Sequence, residues 1–460
     1  MYAAIVLAPV ATMLVRSWEG DLHRDEVLYA AIAKGITVRH EWLDLYVGDE
    51  AYWKKPPLVF WLVAAAFRIL GVSTLAAHLV PAVFGILSCV ALFAVTRRLF
   101  SDRVAFVAAI ALATTPRFLH SGSTLNLDTP VVFFTLAALF CFVRRADGPA
   151  TVDLVCAGAA WGLAVMTKGG FGLLAPLVCV LYIGIVNRRA LHPAGFAIAA
   201  AVALVICLPW HVHEMLRWGP DFVRTYLGQE ILERAAGRLW PDQKIDRYSV
   251  ELLRDDWPWL IPTLIGLVPA VRGARRGQRA ALFVLVWAIG YLAALHLSAF
   301  RRGQYLMHFY PPAAILAAFG VEAIFPVAWW RPLPRLATAV SAVVALALVV
   351  APFRVHPFMA NDVKELGPLL DRVSPAQTSV AGFQTNPHLR ASTLLYLDRD
   401  VHNVELADLP RVHPIVVVTE PQFKDQLERA GFTLLHANRH FALFTPGRDD
   451  AVSGATRELR

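Results

Sequence analysis

Charge is scarce in this sequence: Asp, Glu, Lys and Arg make up only 17% of its 460 residues, against 57% hydrophobic ones, and the mean hydropathy is +0.52. A soluble domain has about a quarter of its residues charged and roughly half apolar, so the composition argues against a water-soluble fold and for a membrane protein. Cysteine is also sparse. Cys89, Cys141, Cys156, Cys179 and Cys207 all lie in apolar stretches with no CxxC spacing, which argues against a disulfide framework and against a thiolate metal site. The apolar stretches themselves hold almost no acids or bases, whereas a transporter places ionisable groups near the bilayer midplane. The N-terminus has no charged n-region and no A-x-A-like cleavage site, so the first apolar stretch is expected to be a retained span. Internal repeats and low-complexity tracts are lacking.

What is present is a series of long apolar stretches, at 1–17, 76–96, 104–119, 129–143, 152–166, 169–186, 194–210, 257–271, 280–299, 304–325 and 336–353. A spanning helix needs about 20 mostly apolar residues. The expected fold class is an all-α polytopic membrane protein of about 11 to 13 transmembrane helices, with a small C-terminal α/β domain outside the membrane. Residues 1–353 form the membrane domain in this reading and 354–460 the C-terminal one, in which Thr378–Phe383, Ile415–Thr419 and Phe441–Phe444 read as strands. Pro421 to Ala430 reads as a helix stopped by Gly431.

The basic clusters Arg97-Arg98-Arg103, Arg144-Arg145, Arg188-Arg189, Arg272-Arg275-Arg276-Arg279 and Arg331-Arg335 fall in every second loop. The positive-inside rule makes those loops cytoplasmic. The first loop (18–75), the loops 120–128, 167–168 and 300–303, the long loop (211–256) and the tail then face outward. The apolar segment 57–71 fits this alternation as an interfacial or re-entrant helix; the alternative is a true span whose partner crossing lies elsewhere in the chain. The formal net charge of +8 is met by anionic lipid headgroups, with no call on nucleic acid.

Polar residues gather at the outer ends. Asp25 and Glu26 follow the first span closely, and a carboxylate in a partly desolvated cleft acts as a general base; the same pair is also what a helix N-terminus favours. Tyr52, Trp53, Lys54 and Lys55 precede Pro56-Pro57, where lysines beside aromatics either anchor a helix or neutralise a lipid phosphate. Asp128 either shapes a pocket or caps the following helix. Lys168, before Gly169-Gly170, either snorkels or meets a phosphate that the glycines let approach. His211-Val212-His213 has the spacing of a metal pair with no clear third ligand, while Glu230, Glu233, Arg234 and Arg238 read as a charged helix. Arg301, Arg302, Tyr305 and His308 sit at another outer end, where cations call for an anionic partner.

The order of these pieces resembles the GT-C membrane glycosyltransferases, the superfamily of protein O-mannosyltransferases and lipid A aminoarabinose transferases. The matching words are Asp25-Glu26 before Tyr29-Ala30, then Trp42, and Tyr52 through Lys55-Pro56-Pro57-Leu58 to Trp61-Leu62. Leu127-Asp128 before Phe133-Phe134, Gly162-Leu163-Ala164 before Thr167-Lys168-Gly169, Leu208-Pro209-Trp210, and Tyr305 ahead of Pro311-Pro312-Ala313 continue them. They cover about residues 20 to 325, and the first loop carries the most specific pair.

The resemblance implies transfer of a sugar from a polyprenyl-phosphate donor to a cell-envelope acceptor, lipid A or another glycan, on the periplasmic side of a bacterial inner membrane, with inversion. It implies Asp25 as the acceptor's base with Glu26 in support, Lys55, Lys168, Tyr305, Tyr29, Tyr52 and Arg234 as donor-phosphate ligands, and Asp128 in the sugar pocket. Protein O-mannosylation is the alternative acceptor reading; a lipid-linked sugar flippase and a scaffold with a decayed site are the alternatives of other classes. The sequence departs from the aminoarabinose-transferase pattern at Lys54, where Glu is usual, at Glu230-Ile231, where a Glu-His pair is usual, and at Leu28, where Arg is usual. The first two changes remove the expected ligands of a divalent metal, so no cofactor is assigned, a divalent metal stays an open alternative, and the aminoarabinose substrate is not carried over.

Overall fold

The structure is a computed structural model and describes residues 22–144, 151–186, 193–234, 236, 247–325, 339, 359–373, 380–385, 387–409 and 416–446. The expected spans 1–17 and 336–353, the domain boundary at 353/354, the clusters Arg188-Arg189 and Arg331-Arg335, and Arg238 lie outside the described residues. The chain divides into two compact units. Among the described residues the first unit holds 53–62 and 75–339, and the second holds 22–52, 63–74 and 359–446. Residues 22–52, expected with the membrane part, therefore group with the C-terminal residues.

The first unit is helical. Its core is lined by Asp102–Thr114, a helix apolar on every side and buried along almost its whole length, as an all-round apolar helix must be. The Ser101 hydroxyl starts it by accepting the Val104 N–H at 3.3 Å. Pro116 ends it: the residue before a proline is pushed out of the helical region, Thr115 is extended, and Pro116–Gly122 leaves at 69°. The single stretch expected at 104–119 is thus a bent pair.

Small residues bring other helices close. A Cβ on Gly158 would lie 2.4 Å from the Ala199 carbonyl oxygen and one on Gly162 2.8 Å from that of Ala203, so this small-xxx-small pair lets Thr151–Lys168 press against Pro193–Trp218. Side chains such as Val205, Leu216, Ile261, Ile289 and Leu297 are largely exposed, an apolar surface of the kind that lipid covers.

Among the described residues four helices are long and apolar enough to cross a membrane, Thr74–Leu99, Thr151–Val186, Gly195–Trp218 and Arg279–Leu297, or five with the bent pair as one span. Within Thr151–Val186 the chain reverses near 167–168, as expected: a Cβ on Gly172 would lie 2.4 Å from Val165 N, and Tyr182 returns to Phe142 at the end where Asp153 pairs with Arg144. The two helices are Thr151–Lys168 and Leu174–Val186, joined by the 3₁₀ turn Gly169–Leu173. Segment 57–71 is a helix of 13 residues, Leu58–Leu70, too short to cross upright at 1.5 Å per residue.

The second unit is α/β. A two-stranded hairpin, β1 (Tyr46–Val47) and β2 (Glu50–Ala51), follows the helix Asp25–Arg39. The main sheet contains β3 (Val380–Phe383), β4 (Val401–Asn403), β5 (Val416–Thr419), β6 (Phe432–Ala437) and β7 (Ala442–Pro446), in the order β4-β3-β5-β7-β6. Both neighbours of β3 are parallel to it, while β7 is antiparallel to β5 and β6. The central strands β3 and β5 are buried throughout, which is why they read as unbroken apolar runs. The expected strands and the helix ended by Gly431, here at φ 90°, are present; β4 and β6, short or half-exposed, were not legible. Lys34 ties the Asp25–Arg39 helix to this unit by donating to the carbonyls of Leu394 (3.0 Å) and Leu395 (2.8 Å) and by pairing with Asp398.

Candidate active site

In the second unit Asp25 and Glu26 occupy the first turn of the Asp25–Arg39 helix. Their roles diverge. The buried Glu26 carboxylate turns back and accepts the His23 N–H at 2.9 Å, satisfying a donor that a helix start leaves open. Asp25, half-buried, makes no such bond. Tyr29 is one turn further on the same helix, and Tyr52 is buried with its N–H donated to the Leu45 carbonyl at 2.7 Å.

The first unit collects the remaining expected residues into a buried ion cluster. Lys168, at the C-terminal end of Thr151–Lys168, forms an ion pair with Asp128. Its ammonium lies 4.6 Å from the centroid of the Phe171 ring and 5.2 Å from that of Tyr305, within cation–π range. Asp128 is free for this pair because Asn126 takes the capping role: its Oδ1 accepts the Thr129 N–H at 2.9 Å and hydroxyl at 3.1 Å. Capping by Asp128, one of the two sequence readings, is thus not what this aspartate does.

Lys55 and Arg234 share the carboxylate of Glu230. Lys55 pairs with Oε2, and Arg234 donates to Oε1 at 2.7 Å. Arg234 also bonds the Tyr305 hydroxyl and lies 5.2 Å from the centroid of the Phe300 ring, so Tyr305 touches both cation groups. The Tyr305 backbone is fixed in turn, its carbonyl accepting the Tyr291 hydroxyl at 2.5 Å. Burial pushes the Lys55 ammonium down to about 8; Arg234 and Lys168 act the same way, and Glu230 opposes them. Among the described residues the ion pairs of Lys55, Lys168 and Arg234 go to two carboxylates, Asp128 and Glu230, so the cations outnumber the acids they pair with. An anion is what such a buried surplus binds.

Sequence reasoning placed Glu230 on a bland charged surface. Its spacing of four from Arg234 was the available signal, but the 55/230 pairing spans 175 residues. Phe171 and His308 were also missed as site residues. The His308 ring is buried, stacked at 5.8 Å on Phe171, and neither ring nitrogen has a hydrogen-bond partner. The His211-Val212-His213 metal reading does not hold for His211: Nδ1 donates to the Cys207 carbonyl at 2.7 Å and Nε2 accepts the Tyr226 hydroxyl at 3.1 Å. Nor do the positions that the resemblance marks for a metal fit one, since Lys54 and Ile231 offer no anionic or imidazole ligand and Glu230 is held by two cations.

Among the described residues one other group has metal-like composition, Asp49, Asp400 and His402 in the second unit, with ligand atoms within 4.8 Å of one another. These atoms are already engaged. Arg390 donates to both Asp400 oxygens (2.6 and 3.0 Å) and to His402 Nδ1 (3.0 Å), and Arg39 donates to Asp49 at 2.7 Å. With Nδ1 accepting, His402 carries its proton on Nε2, 3.3 Å from Asp400, and a metal there would have to displace it.

Comparison with known proteins bears out the resemblance. Residues 54–213 match the family model described as dolichyl-phosphate-mannose-protein mannosyltransferase. The undecaprenyl phosphate-alpha-4-amino-4-deoxy-L-arabinose arabinosyl transferase of Pseudomonas savastanoi pv. phaseolicola is 26% identical over 334 residues, 68% of this chain and 60% of that relative. The enzyme of the same name from Erwinia tasmaniensis is 28% identical over 382 residues, 78% of this chain and 66% of its own. ArnT from Cupriavidus metallidurans bound to undecaprenyl phosphate superposes with a TM-score of 0.78 at 17% identity over 97% of both chains. The oligosaccharyltransferase of Archaeoglobus fulgidus, in complex with Zn and sulfate, reaches 0.60 at 15% identity over 96% of this chain and 73% of that one. The chain is an ArnT-like, multi-pass inner-membrane protein with the GT-C fold.

Proposed function

We propose that this protein transfers a sugar from a polyprenyl-phosphate donor to a cell-envelope acceptor at the outer face of the inner membrane. The observation that carries the reading is the cluster, among the described residues, of three cations, Lys55, Lys168 and Arg234, around two carboxylates, joined by Tyr305. A sugar phosphodiester carries one negative charge, which this surplus matches. As the bond from the anomeric carbon to the phosphate oxygen breaks, its electron pair goes to that oxygen, and the cations stabilise the charge that grows there. The acceptor heteroatom forms the new bond from the opposite face, which gives inversion, and its proton passes to Asp25. Tyr29 and Tyr52 are assigned as further donors to the phosphate, and Asp128, by holding Lys168, shapes the sugar side.

The outward placement has support in the helices. Asp128 and Arg144 stand at opposite ends of one helix, and Arg279 and Tyr305 lie on either side of Arg279–Leu297. The arginine-rich ends, cytoplasmic by the positive-inside rule, are therefore remote from the cluster. Lipid A or another envelope glycan is the favoured acceptor, since the relatives carry the name of undecaprenyl-phosphate arabinosyl transferases; the matched family model favours a protein hydroxyl as the second reading.

The deciding experiment compares mass profiles of lipid A, glycans and membrane proteins from cells with the wild-type chain, with Asp25→Asn and with neither. An increment of one sugar that requires Asp25 is expected, and its mass and carrier name both substrates. Equal profiles in all three strains would overturn the transferase reading in favour of a flippase or scaffold.

A further inference from the structure

The proposed donor site has two cation groups, Lys168 on one side and Lys55 with Arg234 on the other, and the Tyr226 side chain packs between the segments that carry Lys168 and Glu230. Lys168 is followed by Gly169 at φ 56°, a left-handed position that glycine adopts without strain. This turn ends the helix and sends the chain into the Gly169–Leu173 3₁₀ segment. The Tyr226 hydroxyl packs against it: an ideal Cβ on Gly169 would lie 2.6 Å from that oxygen.

Tyr226 belongs to Val223–Glu233, an 11-residue π-helix that also carries Glu230. π-Helical turns are rare and concentrate at functional sites. The tyrosine is buried, its ring stacked on Phe222 at 5.2 Å and 10° and edge-on to Trp210 at 6.2 Å. Its hydroxyl is oriented by His211, whose Nδ1–H is fixed on the Cys207 carbonyl, so that Nε2 must accept. Burial pushes the phenol further up, away from ionisation, so the hydroxyl stays a donor.

We propose that Tyr226, with its hydroxyl oriented by His211, is a positioning residue that fixes the Lys168 turn against the Glu230 segment and so sets the spacing of the two cation groups for one phosphate. This inference rests on the donor reading of the site. Tyr226 touches no reacting atom in it; its effect passes through Lys168 and through Glu230 to Lys55 and Arg234. In catalysis a misplacement of about 1 Å can cost on the order of a hundredfold in rate, so the spacing matters for transfer as well as for binding.

The test is the affinity of the purified full chain for undecaprenyl phosphate in detergent, followed by tryptophan fluorescence. Tyr226→Phe, which keeps the ring and removes the bond, is expected to weaken binding by up to about tenfold, the upper range for one hydrogen bond. His211→Leu should give the same loss, His211→Gln, whose amide oxygen accepts the hydroxyl, should restore most of it, and the Tyr226→Phe/His211→Leu double variant should be no worse than either single one. A purely packing role predicts no rescue by Gln. Wild-type affinity in Tyr226→Phe, or additive losses in the double variant, would overturn this inference while leaving the donor site standing. Should Tyr226→Phe not fold, the His211→Leu and His211→Gln pair decides alone. A wild-type chain that does not bind undecaprenyl phosphate, or a Lys168→Ala variant that binds as well as wild type, would overturn the donor reading and this inference with it.

Discussion

Two ion-pair networks, one in each unit, use the same chemistry to different ends. In the second unit Asp49, Glu50 and Asp400 meet Arg39, Arg390 and His402, and the side chains of Asp49 and Glu50 are about three-quarters exposed. Water screens these charges, and each acid already has an arginine partner at 2.6–2.7 Å. In the first unit Lys55, Lys168, Asp128 and Glu230 have side chains at most 16% exposed, and cations outnumber carboxylates. A surplus charge that water cannot reach is costly until something neutralises it. Exposure, rather than the mere presence of ion pairs, separates a buried binding site from a surface network.

The comparison breaks most easily at Glu230. Glu230→Gln strips Lys55 and Arg234 of their shared carboxylate and should destabilise the free protein by about 3–5 kcal/mol. Undecaprenyl phosphate should recover much of that loss, which thermal unfolding with and without the lipid would measure; an unchanged melting temperature would mean that the pair is not buried as described. Lys168→Ala removes a group that acts on developing charge, with an expected cost of about 2.7–4 kcal/mol in the barrier, read as kcat in a reconstituted transfer assay. A decrease of less than tenfold would count against Lys168 as a phosphate ligand.

A subtler effect comes from pH. Lys55 has to be charged to hold a phosphate, and burial has brought its ammonium down to about 8. The protonated form is complete well below that value and is lost as pH rises through it, so kcat/KM should fall on the basic side with a limb near pH 8. Lys55→Arg, whose guanidinium does not titrate in this range, should abolish that limb even if its absolute rate is lower; a limb that persists would assign it to another group. At the small end, Asp49→Asn in the exposed network should cost about 0.2–1 kcal/mol of stability and leave transfer within twofold. A large activity loss there would mean that the second network is more than a surface feature.

Much of this was legible in the residues, for reasons that can be named. Apolar runs of fixed minimum length marked the spans, and unbroken apolar tetrads marked β3 and β5, because burial on all sides leaves no polar alternative. Lys55, Lys168, Arg234, Tyr305 and Asp128 stood out as polar groups at helix ends in a chain with few charges. Legibility failed where a decision depended on partners far away in the chain. Whether Asp128 or Asn126 caps the 128–144 helix is settled by Lys168, 40 residues later, and both ring nitrogens of the tempting His211 are used up by Cys207 and Tyr226. Segment 167–168 was read as a reversal between two apolar stretches, and the left-handed Gly169 with the 3₁₀ turn after it is how the chain makes that reversal.

The sequence by itself determined that this is a membrane-embedded helical protein with a small α/β unit, because hydropathy and periodicity are local properties that every residue reports independently. It also supplied the cations. Only the tertiary structure decided which carboxylate each cation meets, how many charges remain unpaired and which side chain stands between them, because electrostatics in a buried site depends on distances of a few ångströms between residues up to 175 positions apart.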